Sequence, residues 1–202
     1  TRQQVVRLDR ADPRPLPPDA ERRVVRAVAA AAARADALFV SDYGGGVMTP
    51  RVIEAALSAA RDRPVCVDSR YNLRAYRGAT AAKPNEPELE AASGVALNGT
   101  APALERAGRA LLRELGLEAL LVTRGRNGMA LFRPRVPTEH VPVSGTPDAV
   151  DVTGAGDTCI AAFTVALAAG ADFSEAARIA NAAAGVVVGK PGTAAASPEE
   201  VL

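Results

Sequence analysis

Aromatic residues are scarce in this sequence: only 3% of its 202 positions, with no tryptophan. That scarcity argues against a stacking platform for single-stranded nucleic acid, which needs several exposed rings along a basic groove. No charge of one sign dominates either, since 24 Lys and Arg face 23 Asp and Glu for a net charge of +1. A near-neutral chain gives no electrostatic reason to expect a nucleic-acid or membrane partner. Cysteine is limited to Cys66 and Cys159. Their spacing suggests neither a disulfide framework nor a zinc site, and both sit in apolar runs where buried, reduced thiols are expected. The longest apolar stretch, from Cys159 to Ala171, falls short of the ~20 residues that span a bilayer. No signal peptide is visible at the start, so a cytoplasmic protein is expected. The only histidine, His140, lies in an alternating segment beside Val141 and reads as a surface or packing residue.

What remains is an apolar, soluble composition, with 48% hydrophobic and 23% charged residues. The length suits a single α/β domain over residues 1–202. Strand and helix patterns alternate along it. Val5–Leu8 reads as a strand and Pro13–Pro18 as a turn, followed by a helix from about Ala20 to Ala35. Ala37–Val40, Val65–Val67, Ala79–Lys83 and Ala119–Thr123 are short apolar runs with the character of buried parallel strands. Helices are expected from Thr49-Pro50 onward, with Thr as N-cap and Pro in the first turn, and over Glu86–Ala92 and Ala103–Leu115. Met129–Phe132 and His140–Val143 read as a hairpin-like excursion. Gly154–Ala169, Ser174–Val187 and a start after Ser197-Pro198 complete the helices. This βαβ alternation predicts a mainly parallel sheet covered on both faces. Ligands of such sheets bind at the carboxyl ends of the strands, here near Asp42, Asp68, Asn85 and Thr123.

The most informative string is Asp151-Val-Thr-Gly-Ala-Gly-Asp-Thr158. A turn of small residues, Gly154-Ala155-Gly156, runs straight into an apolar helix. Amides at such a helix start can hold an anion with the helix dipole behind them. Asp157 is out of place beside a bound anion unless it has a task, such as accepting the proton of an attacking hydroxyl. The plainer reading makes Asp157 a helix cap and Gly154 and Gly156 turn formers. No GxxxxGK[ST] string occurs, which excludes a P-loop kinase.

This string resembles the second signature of the pfkB family of carbohydrate kinases, and further segments extend the likeness. Lys83-Pro-Asn-Glu-Pro-Glu88 is similar to the family's Asn-x-x-Glu motif, and Val122-Thr-Arg-Gly-Arg-Asn-Gly128 to its nucleotide loop. A narrower resemblance, to the heptose 7-phosphate kinase domain of ADP-heptose synthesis proteins, is carried by four segments. These are Gln3–Asp9, Ser41-Asp42-Tyr43, Tyr76–Thr80 and Asn181–Lys190. Two departures stand out. Asp42-Tyr43-Gly44-Gly45-Gly46 lacks the lysine of that group's Asp-Tyr-x-Lys-Gly, and Asp68-Ser69-Arg70 replaces its Asp-Pro-Lys. Arg meets phosphate with a different geometry from Lys.

The resemblance implies a ribokinase-like three-layer α/β/α fold. Thr1 aligns just after the segment that supplies the family's first strands, lid and most sugar contacts, so the expected architecture lacks them. The implied reaction is ATP-dependent phosphorylation of a sugar or sugar-phosphate hydroxyl, with D-glycero-D-manno-heptose 7-phosphate going to the 1,7-bisphosphate. Another pfkB sugar kinase, ribokinase- or fructokinase-like, or a catalytically silent nucleotide-binding fragment, are the alternatives. Asp157 would be the base, with the amides of Ala155, Gly156 and Asp157 as anion hole. Asn85 and Glu88 would place Mg2+ through water, and Thr123, Gly125 and Gly128 would contact ATP. Asn181 is open between an ATP contact and a helix-packing role. Asp151 and the Thr153 carbonyl would hold a monovalent cation, K+ by family habit, with the Val187–Ser197 loop closing the site. A homodimer is implied for the intact protein. Asp42 and Asp68 read chiefly as turn residues near the phosphates. Arg124 and Lys190 read as solvated charges, and Arg22, Arg23 and Arg26 as the wet face of a helix.

Overall fold

The computed structural model describes residues 6, 8, 13–60, 62–145 and 150–201. Six strands among them form one sheet in sequence order: β1 (Leu38–Asp42), β2 (Val65–Ser69), β3 (Ala81–Ala82), β4 (Ala119–Thr123), β5 (Met129–Phe132) and β6 (Glu139–Val141). The first four run parallel, and β5 and β6 are each antiparallel to the strand before. The helices are α1 (Pro18–Ala32), α2 (Pro50–Ala59), α3 (Glu86–Ser93), α4 (Ala101–Leu115), α5 (Ala155–Ala168), α6 (Phe173–Val188) and α7 (Pro198–Val201).

Strand alternation sorts the core into two sheets of side chains. Val67, Ala82, Leu120, Val122 and Phe132 pack under α2, α3 and α4. Their neighbours Cys66, Ala81, Leu121 and Leu131 pack under α5 and α6. Paired residues share a face, as Leu120 with Phe132 and Leu121 with Leu131. These runs are apolar on both sides because helices cover both faces, and the expected three layers are present.

Several elements differ from the sequence reading. Met129–Phe132 and the following strand do not leave the sheet; they extend it, since β5 pairs with β4 along four residues. β3 is shorter than Ala79–Lys83, but its ladder continues on both sides, with Thr80 N–H donating to Val65 O and Lys83 N–H to Val67 O. Helix α1 stops at Ala32 rather than Ala35: the chain tightens into i to i−3 bonds at Arg34 and Ala35, and the Arg63 guanidinium caps the carbonyls of Ala32 and Ala35. The expected strand Val5–Leu8 falls largely outside the described residues; Val6 and Leu8 are exposed and belong to no strand. Arg22, Arg23 and Arg26 are exposed on α1, and His140 is exposed on β6. Among the described residues no helix is long and apolar enough to cross a membrane.

Candidate active site

The carboxyl ends of β1 to β4 meet the first turn of α5. Gly154 opens that turn at φ +81°, a left-handed conformation that favours glycine. The Ala155 amide donates to Val152 O at 3.2 Å. No backbone acceptor is recorded for the amides of Gly156 and Asp157 within the described residues, and the α-helical ladder resumes with Thr158 N–H to Gly154 O at 2.9 Å. Two of the expected trio of amides thus have no backbone acceptor among the described residues, whereas the Ala155 amide has one. Asp157 is exposed beside them.

Two strand-end acids face this turn in different ways. Asp42 is buried, and its carboxylate accepts Tyr76 Oη at 2.8 Å, Ser69 Oγ at 3.0 Å and the Gly44 amide at 2.9 Å. It staples β1 to β2 and fixes the backbone on either side of Tyr43, whose hydroxyl donates to Asp157 Oδ1 at 2.8 Å. Asp68 instead pairs with Lys83 Nζ at 3.0 Å. Burial raises the Asp68 carboxyl above its ordinary range; Lys83 opposes this, and the charges of Glu88 and Asp157 add to it. A turn role suits Asp42. Asp68 belongs to a charged cluster that also takes in Glu88, Asp157 and Lys83. Beside it opens a recess of about 140 Å³, lined in part by Arg70, Arg74 and Glu88.

Asn85 and Glu88 form a capping box on α3: Asn85 Oδ1 accepts the Glu88 amide at 2.8 Å and Glu88 Oε2 the Asn85 amide at 2.9 Å. Asn85 also bridges to Thr123 in parallel register, which brings the two expected nucleotide positions side by side. Gly125 begins a single 3₁₀ turn at φ +52°, and Gly128 closes it at φ +73°. A Cβ on Gly128 would come 2.1 Å from Val141 O. Asn181, buried on α6, donates to Pro142 O at 2.7 Å, so Gly128 and Asn181 meet on the same stretch after β6. Here the packing role of Asn181 is the one with a visible partner.

Asp151 receives the Thr153 amide at 2.9 Å and the Gly192 amide at 3.2 Å. Hydrogen bonds from Thr153 hold its carboxyl below the usual range. It thus ties the turn before α5 to the loop after α6. Arg124 and Lys190 are not solvated charges. Arg124 Nε pairs with Glu86 at 2.8 Å and is largely shielded, and Lys190 Nζ pairs with Glu200 at 2.7 Å and donates to Ala195 O.

The profile of pfkB family carbohydrate kinases matches residues 18–200. This chain belongs to the pfkB family. It is 45% identical to the bifunctional protein HldE of Geotalea uraniireducens over 99% of its own length, and 42% identical to that of Methylococcus capsulatus over 98%. In both cases it spans 41% of the relative. Among solved structures it resembles Arabidopsis thaliana ribokinase complexed with ribose and ATP, with a TM-score of 0.72 and 26% identity over 93% of this chain and 58% of that one. Escherichia coli phosphofructokinase-2 shares the fold at a TM-score of 0.80 and 22% identity, over 93% and 61%.

Within this pfkB-family chain, two site residues had no assigned role from sequence reasoning. Lys83 was visible only as the first residue of a motif, and Tyr43 only as part of a resemblance. The signal for Lys83 was available: a charge ending an all-apolar buried strand, at the edge where ligands bind, needs a reason.

Proposed function

We propose that this chain is the nucleotide-binding and catalytic part of an ATP-dependent kinase acting on a sugar or sugar-phosphate hydroxyl. Heptose 7-phosphate is the acceptor and the 1,7-bisphosphate the product. The observation that carries this reading is the α5 turn: amides at Gly156 and Asp157 with no backbone acceptor among the described residues, and an open carboxylate between them and the strand ends. The 42–45% identity to HldE proteins supports the heptose acceptor, and the ribokinase likeness supports ATP as donor. A cytoplasmic location and a homodimeric assembly are part of the same proposal.

In this mechanism Asp157 accepts the proton of the acceptor hydroxyl as its oxygen attacks the γ-phosphorus. The Gly156 and Asp157 amides stabilise charge gathering on the phosphoryl oxygens, with Ala155 and Gly154 shaping the bend. Thr123, Gly125 and Gly128 border the nucleotide, with Asn181 behind them. Mg2+ would be held through water by Asn85 and Glu88, whose capping hydrogen bond uses Oε2 and not Oε1. Mg2+ keeps several of its waters in such sites and offsets phosphate charge. Asp151 and the Thr153 carbonyl would hold a monovalent cation such as K+.

The test is ATP-dependent turnover on a sugar panel by the full-length protein, with Asp157→Asn alongside. Heptose 7-phosphate should be preferred, and the variant should keep ATP binding while losing ~10²-fold or more in rate. Preference for ribose or fructose overturns the acceptor, and an unchanged Asp157→Asn rate overturns the base.

A further inference from the structure

Lys83 directly follows β3, with only 3% of its surface exposed. An ammonium taken out of water costs several kcal/mol unless its partners are good. Among the described residues its ion-pair partner is Asp68, which engages one of its three N–H donors. Packing does not call for the charge. The strand it follows is Ala81-Ala82 in an apolar core, where an uncharged chain of similar length would avoid the desolvation cost.

The position of Nζ supplies a reason. It lies 3.5 Å from where a Cβ on Gly156 would stand. Glycine at 156 therefore leaves the ammonium against the turn whose next amides lack backbone acceptors. Asp68 feels the charges of Glu88 and Asp157 as well as its own pairing with Lys83. An arriving phosphoryl group adds negative charge to a corner already holding three acids. Backbone amides bring only partial charges against it.

We propose that Lys83 is a further catalytic residue, its ammonium touching the phosphoryl group in transfer beside the Gly156 and Asp157 amides, with Asp68 as its positioning residue. This rests on the kinase reading above. The bond from the γ-phosphorus to the ADP oxygen breaks as the bond to the acceptor oxygen forms. The acceptor's proton passes to Asp157, and the Lys83 ammonium balances charge on the equatorial oxygens.

A purely architectural pair joining β2 to β3 would behave differently, and one set of variants separates the two. In the full-length protein, Lys83→Met, Asp68→Asn and the double variant are compared with wild type by thermal unfolding, ATP calorimetry and steady-state kinetics. Lys83→Met strands the Asp68 carboxylate and should lower the melting temperature. The double variant is neutral at both positions and should recover most of it. Turnover should stay down ~10²-fold in both, because the lost charge acts on the transition state. ATP affinity should fall far less than kcat, and Asp68→Asn alone should cost ~10-fold in kcat through misplacement. Where Lys83→Met does not fold, the double variant carries the test. A double variant within ~5-fold of wild-type kcat overturns the assignment, since true loss of transition-state charge costs more. A wild type that transfers phosphate to no sugar would instead remove the kinase reading, before any variant is compared.

Discussion

The Tyr43 hydroxyl donates to Asp157 Oδ1 at 2.8 Å, joining the end of β1 to the first turn of α5 across 114 positions of sequence. That hydrogen bond, followed by desolvation, raises the phenol above its ordinary value, so Tyr43 remains a donor. The Asp42 staple on Ser69 and Tyr76 holds the backbone from which Tyr43 reaches. One carboxylate oxygen of Asp157 is thereby engaged, and in the proposed mechanism the other meets the acceptor alcohol.

Tyr43→Phe removes only the hydroxyl. Both side chains are exposed, so the unfolding free energy should change by less than ~0.5 kcal/mol. The rate should fall by roughly 10-fold, because the base is no longer held to one orientation. Steady-state kinetics beside a urea titration reads both quantities. An unchanged kcat would mean that the contact does nothing for catalysis.

The capping box on α3 makes two roles separable. Asn85→Ala deletes the cap and should cost ~1 kcal/mol of stability. Glu88→Gln keeps an oxygen able to accept the Asn85 amide, so stability should hold. What should change is the Mg2+ concentration giving half-maximal rate, which rises once the carboxylate charge is gone. Equal Mg2+ titrations for Glu88→Gln and wild type would confine Glu88 to capping.

These residues also show where sequence reasoning works. The Asn85 and Thr49 helix starts, the apolar strands and the Gly154 bend follow from local rules that act within a few residues, and each was legible. The Asp42 network could not be read, because Tyr76 and Ser69 reach it only after β1 and β2 pair. The approach of Lys83 to Gly156 was similarly hidden until α5 folded back beside it, although a lysine after an apolar run was itself a visible signal. Strands β5 and β6 looked like a detached hairpin because their pairing with β4 depends on register across a sheet, which short apolar runs do not specify. Arg124 and Lys190 resembled solvent charges for the same reason: their acids are set by tertiary placement.

Glycine at 128 is demanded by space as well as by φ. Gly128→Ala would put a methyl 2.1 Å from Val141 O at a backbone angle of +73°. The loop must move, and destabilisation of roughly 3 kcal/mol is expected. Gly78 supplies the control: at φ +79° it has nothing within 4 Å of an added Cβ. Gly78→Ala should therefore cost only about 1 kcal/mol, from the left-handed angle. Similar losses in the two variants would show that the Val141 contact is soft.

The two thiols report on the core through pH. Burial pushes Cys66 up to about 11 and Cys159 up to about 12. An unfolded chain ionises its thiols near ~8.5. Both folded values are raised, so the stabilising contribution is complete below the unfolded value and drains away as pH climbs toward the folded ones. In proton terms the unfolded state binds fewer protons across that window, and stability falls with pH. The slope should approach ~1.4 kcal/mol per pH unit for each thiol above ~8.5. Tyr76, also raised by burial, joins only near ~10, where an unfolded phenol ionises. Between those limits the decline belongs chiefly to the cysteines. Replacing both with Ala should flatten stability between about pH 8.5 and 10. Native protein at pH 8 should resist iodoacetamide until urea opens the sheet. Rapid native alkylation, or an unaltered slope in the double Ala variant, would mean that these side chains are not sealed between the sheet and α5.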